Sequence, residues 1–198
     1  SFTGLALDGE VEDHLMHEVV PLDSGSDFGD AVYVPDTVLP NGAQHVITAG
    51  IMLGSAIDAE PDGQPDPQAI GDDNNTIFPG LADDEDGVVF TSKLVAGSNA
   101  TVDVVAGVSG GRLDAWIDFT NDGDWLDANE KILSVPVAAG LNSLSFTVPG
   151  LPAQGLGQTH ARFRISSAGT PLPTGLAPDG EVEDYVVDLY QPAPTNSI

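Results

Sequence analysis

The chain contains no cysteine. Disulfides, thiolate metal sites and a cysteine nucleophile are excluded, so an exported protein of this make-up must tie down its loops by other means. Positive charge is nearly as scarce: five Lys and Arg residues stand against 31 Asp and Glu in 198 residues, a formal net charge of -26. Such a surface repels phosphate backbones, which removes nucleic acid as a partner. No apolar run approaches the roughly 20 residues that span a bilayer, and no basic segment followed by an apolar one opens the chain. Membrane insertion is not expected. No GxSxG or HExxH motif is present, and the four histidines (His14, His17, His45, His160) are scattered. A hydrolase is not expected either, and the chain reads as noncatalytic.

What is present points to a β-rich domain. A hydrophobic content of 41% suffices for a buried core. Its 23 Gly and 15 Pro interrupt many short Val, Ile, Phe and Thr runs, a pattern of strands and turns with no helical period. Period-two alternation predicts strands at 45–52, 87–91, 100–106, 112–119, 131–137, 143–148, 159–166 and 182–189. The expected fold is all-β, a β-sandwich of jelly-roll or Ig-like type with long calcium-binding loops. In THARFRIS, Ala161, Phe163 and Ile165 fall on one face, the core side, and His160, Arg162 and Arg164 on the other, exposed or paired.

The stretch SFTGLALDGEVEDHLMHEVVP at the start aligns with LPTGLAPDGEVEDYVVDLYQP near the end, at an offset of 171 residues. A repeat of that length predicts tandem domains. Residues 1–20 are then the closing strand of a preceding repeat, 24–190 the complete domain, and 191–198 a linker rich in Pro and small polar residues.

The acids are clustered, and clustering distinguishes binding sites from a uniformly salt-adapted surface. Ten lie between Asp58 and Asp86 with no Lys or Arg among them, whereas 132–178 holds none. A structureless loop as long as 54–86 is uncommon unless it is functional or tied down. In DAEPDG, Asp58, Glu60 and Asp62 alternate before Gly63, as in the opening of a calcium loop. Asp72 and Asp73 follow, and LADDEDGV adds Asp83, Asp84 and Asp86. Converging carboxylates repel one another by about 4 kcal/mol per pair at 4 Å and an effective dielectric near 20, so a cation is needed to gather them. Hard oxygen donors with no His or Cys cluster favour Ca2+ over zinc, copper or magnesium. A second candidate is DFTNDGDWLDANE, where Asp118, Thr120, Asp122 and Asp124 alternate around Gly123 and Glu130 follows at the thirteenth position. The alternative for both stretches is a set of solvated Asp and Gly turns.

The segments DFGDA (27–31), GAQH (42–45), LG (53–54), DAEPDGQP (58–65), GDD (71–73), DDEDGV (83–88), WIDFTNDGDW (116–125), ARFRIS (161–166) and DGEVEDY (179–185) occur in this order. Together they resemble the GEVED domain, a repeat of large exported bacterial proteins. The resemblance implies an extracellular β-rich module, stabilised by calcium, that serves as a spacer or adhesion unit.

The DGEVED strand itself allows two readings. Glu181 and Glu183 could pair with Arg162 and Arg164 in a cross-strand ladder, or Asp179, Glu181 or Asp184 could complete a metal site beside the acidic loop. The ladder is the favoured place for the glutamates, which leaves Asp184 as an extra ligand or turn acceptor.

The function expected is therefore a noncatalytic calcium-binding structural or adhesive repeat of a secreted or surface-anchored bacterial protein. Its partners would be calcium ions and neighbouring repeats, with glycans or surface proteins as further candidates. The alternative is a calcium-dependent carbohydrate-binding module using Trp116, Trp125 or Tyr33 as a sugar platform.

Overall fold

A computed structural model describes residues 25–71, 84–151 and 156–194. Eleven strands form among them and no helix: β1 (Ser26–Phe28), β2 (Gln44–Val46), β3 (Val88–Phe90), β4 (Leu94–Val95), β5 (Asn99–Ala106), β6 (Gly111–Ile117), β7 (Lys131–Val137), β8 (Gly140–Thr147), β9 (Gly157–Ser166), β10 (Leu176–Ala177) and β11 (Glu181–Tyr190). They build a five-stranded sheet in the order β4-β11-β9-β6-β7 and two three-stranded sheets, β3-β5-β8 and β1-β2-β10.

The principal core lies between the five-stranded sheet and β3-β5-β8. Alternation on β5 sends Ala100, Val102, Val104 and Ala106 inward, and Phe146 joins them from β8. Leu113, Ala115 and Ile117 of β6 and Ala161, Phe163 and Ile165 of β9 meet them from the other side. This is the face-to-face packing of a β-sandwich. Phe163 is the aromatic hub, edge-on to both Phe90 (5.8 Å between centroids) and Tyr185 (6.0 Å).

Strands β6, β9 and β11 are also buried on their second face. A strand with both faces out of water needs cover on both sides, and here the outer cover is segment 26–46 together with the loops after β6 and β9. Tyr33, Trp116, Trp125 and Ala31 make a small apolar cluster there. Trp116 thus belongs to the core, on the opposite face of β6 from Ala115 and Ile117.

The predicted strand at 45–52 stops after Val46. Gly50 takes a φ of 86°, and Thr48 bridges to Ile51 across a tight turn, so the extended run is broken. The N-terminal repeat at 1–20 lies outside the described residues, as does the end of the linker.

Candidate metal centre

A three-residue strand anchors the site. Asp27 sits at the middle of β1, opposite His45 of β2. Its Oδ2 accepts the Val182 N–H at 2.6 Å, which draws β1 to the start of β11. The next residue, Phe28, donates its N–H to Glu60 Oε2 at 3.0 Å, while Glu60 donates its own N–H to the Ser26 carbonyl at 2.9 Å. The acidic loop is therefore stitched to β1 from both sides of Glu60. Farther along, Asp84 Oδ2 accepts the Asp58 N–H at 3.0 Å.

These bonds bring three carboxylates together. One oxygen each from Asp27, Glu60 and Asp84 lies within 4.8 Å of the others, and the three side chains are 2%, 6% and 6% exposed. Oxygens on opposite sides of a bound calcium stand up to about 5 Å apart, twice the 2.3–2.6 Å bond, so all three can touch one such ion. Magnesium, with bonds near 2.1 Å, demands a tighter set. Zinc would look for nitrogen or sulfur. His45 has both ring nitrogens engaged, with Asp179 O at 2.8 Å and Arg164 Nε at 2.9 Å. The donor set fits calcium.

Two further carboxylates adjoin this group from β11. Glu181 is fully buried; its Oε2 accepts the Leu53 N–H, and its Oε1 has no hydrogen-bond partner. Glu183 accepts the Gly87 N–H at 2.9 Å and the Tyr185 hydroxyl at 2.9 Å. Burial pushes both carboxyls well above the usual range; for Glu181 the neighbouring Glu183 and Asp27 charges push further in the same direction.

The cross-strand ladder of glutamates and arginines does not form. Glu181 and Glu183 share a face with Tyr185, Val187 and Leu189, toward the core, whereas Arg162 and Arg164 point from the opposite face of the same sheet. The register places Asp184, not a glutamate, across from Arg162. Asp184 accepts from Arg162 Nε at 2.7 Å and from a terminal nitrogen at 2.6 Å, and its Oδ2 also takes the Ala31 N–H at 2.8 Å. Among the described residues no carboxylate lies at ion-pair distance from Arg164. Arg164 donates instead to His45 and to the carbonyls of Leu172, Thr174, Gly175 and Gln44, and burial lowers its pKa to about 9.

Of the acids expected as ligands, the structure gathers Glu60 and Asp84. Asp58 contributes its N–H and stays half-buried, with Oδ1 lacking a hydrogen-bond partner. Asp62 turns away to cap the Leu39 and Gly63 amides, and Asp86 binds the Ser55 N–H and hydroxyl. Asp72, Asp73 and Asp83 lie outside the described residues. Gly63 is demanded by space: a Cβ there would stand 1.9 Å from the Thr37 carbonyl oxygen.

In the 118–130 loop the two buried acids serve the loop's own backbone. Asp118 accepts the N–H groups of Asn121 (2.5 Å) and Gly123 (3.1 Å) and the Tyr33 hydroxyl (2.7 Å). Glu130 accepts those of Phe119, Thr120 and Asp127, at 3.0, 3.2 and 3.0 Å. Burial still raises the Glu130 pKa to about 7. Asp122 is exposed, and Asp124 caps Leu126 N–H at 2.8 Å. Thr120, also exposed, points its hydroxyl toward Glu130 at 3.3 Å.

Asp27 was not among the expected ligands. It stands in DFGDA, far in sequence from the acid-rich loop, and only the pairing of β1 with β2 and β11 brings it in. Glu181, open in the sequence to either a ladder or a ligand role, lies on the core-facing side of β11 with Tyr185, Val187 and Leu189, across from Ile165.

Residues 112–188 match the GEVED domain family. The GEVED match runs from Arg112 in β6 to Asp188 in β11. It therefore contains the Arg162–Asp184 pair, Glu181 and Glu183, while Asp27, Glu60 and Asp84 fall in the part of the chain before it. No curated protein matches the chain.

Proposed function

We propose that this protein is a noncatalytic calcium-binding structural module, an adhesive or spacer unit of a secreted or surface-anchored bacterial protein. The observation that supports it best is the convergence of Asp27, Glu60 and Asp84, three buried carboxylates with oxygens within 4.8 Å. Each pair repels by about 4 kcal/mol at 4 Å and an effective dielectric near 20, and calcium offsets that repulsion while pinning a long loop to β1. In a chain without disulfides the ion supplies the missing cross-link. Its role is to hold the fold, and no reaction is assigned to it. The 118–130 loop is a second, separate candidate, addressed by removing Asp122 and Asp124.

The carbohydrate alternative has less support. Trp116, Trp125 and Tyr33 are 2%, 1% and 8% exposed, so none offers a ring face to a sugar.

Calorimetric titration of the whole chain with calcium at low ionic strength tests the reading. Binding that is lost in Asp84→Asn is expected, and absence of binding at millimolar calcium contradicts it.

A further inference from the structure

We propose that Glu181, the first glutamate of the DGEVED motif, is a fourth carboxylate ligand of the cation held by Asp27, Glu60 and Asp84, so that the ion clamps the closing strand β11 to the opening strand β1. The inference rests on the calcium reading above.

Three observations carry it. Glu181 is completely buried, yet its Oε1 finds no hydrogen-bond donor. A carboxylate left so is costly unless something positive completes it. Its position is next to the acid group, since Asp27 bonds the amide of the adjacent Val182 at 2.6 Å and the charges of Asp27 and Asp84 act on the Glu181 carboxyl. Finally, the side chain is held from behind. Leu53 N–H fixes Oε2, leaving Oε1 as the free ligand atom, and the buried arginines, on the far face of the sheet, cannot serve as its counter-charge.

The ligand set then spans residues 27, 60, 84 and 181, and one ion would join β1, the acidic loop, the segment before β3 and β11. That gives the motif a role separate from Asp184. Asp184 locks one face of β11 through Arg162, and Glu181 locks the other through the cation.

The test is terbium luminescence and calcium competition on the full chain, comparing wild type with Glu181→Gln, Glu181→Asp and Asp188→Asn. Asp188 is the control, an exposed acid on the same strand. At least a tenfold loss of affinity in Glu181→Gln, partial recovery in Glu181→Asp and no change in Asp188→Asn are expected. Wild-type affinity in Glu181→Gln overturns the proposal while leaving the calcium reading intact, whereas no binding by wild type removes both. Should Glu181→Gln fail to fold, a crystal of wild type with terbium decides: anomalous density about 2.3–2.6 Å from Glu181 Oε1 is expected, and an ion without Glu181 in its shell overturns it.

Discussion

Arg162 and Asp184 face each other across the β9–β11 ladder with neither side chain exposed, joined by two hydrogen bonds of 2.7 and 2.6 Å. Arg162 also lies 4.2 Å from the Trp125 ring centroid and donates to the carbonyls of Asp36 and Pro173. The pair is the polar seam between the central sheet and its outer cover.

Removing one partner of such a pair leaves an uncompensated buried charge. Asp184→Asn is expected to cost about 3–5 kcal/mol, read from urea unfolding. A loss under 1 kcal/mol contradicts the role assigned to the seam. Replacing both residues with leucine should recover part of the loss, because the desolvated charge is then gone from both sides.

His45 makes stability depend on acid. Burial, then the Arg164 charge, hold its pKa well below the usual value; the Asp179 carbonyl works against them, and Arg162 adds to the lowering. Because the folded pKa lies below the unfolded one of about 6.5, neutral His45 contributes stability that is fully present above that pH and fades as pH falls beneath it. The stability gap between wild type and His45→Gln should therefore shrink from pH 7.5 to pH 5, since other titrating groups are common to both. A gap constant over that range contradicts the prediction.

Gly180 of DGEVED is held at a φ of 102°, and a Cβ there would stand 1.8 Å from the Ile165 carbonyl oxygen. Gly180→Ala combines a left-handed backbone with a clash against β9, so a loss of at least about 1–3 kcal/mol is expected. Thermal unfolding measures it, and an unchanged midpoint contradicts it.

Tyr33 supplies one of the bonds that hold Asp118, at 2.7 Å. Tyr33→Phe leaves a buried carboxylate with one donor fewer, at a cost of about 1.5–3 kcal/mol. Trp125 packs against Tyr33 with ring centroids 4.7 Å apart and the rings tilted by 55°, so its fluorescence reports whether the ring stays in place. A variant as stable as wild type contradicts the importance given to this bond.

Much of the sandwich was legible because β5, β6, β7, β9 and β11 are long enough for alternation to show. Strand β7 occupies 131–137 as expected. Strands β1, β4 and β10, of two or three residues, carry no period and exist only through their long-range partners. The same limit governs the site. The acid-rich loop announced Glu60 and Asp84, but Asp27 gave no local signal, since one aspartate before Phe28 looks like many others. For β11, alternation fixed which residues share a face, yet not which neighbouring side chain meets each. Assigning the glutamates to the arginines followed charge and missed that an antiparallel register aligns Asp184 with Arg162.

Calcium binding at Asp27, Glu60 and Asp84 is the central proposal. Scanning calorimetry at low ionic strength, with calcium and then with excess chelator, tests it most directly. At a hundred times Kd an ion that binds only the folded state adds about 2.7 kcal/mol, which for a domain of this size raises Tm by roughly 5–10 °C. That rise in wild type, abolished in Asp84→Asn, is the expected result; superimposable traces with calcium and with chelator contradict the account.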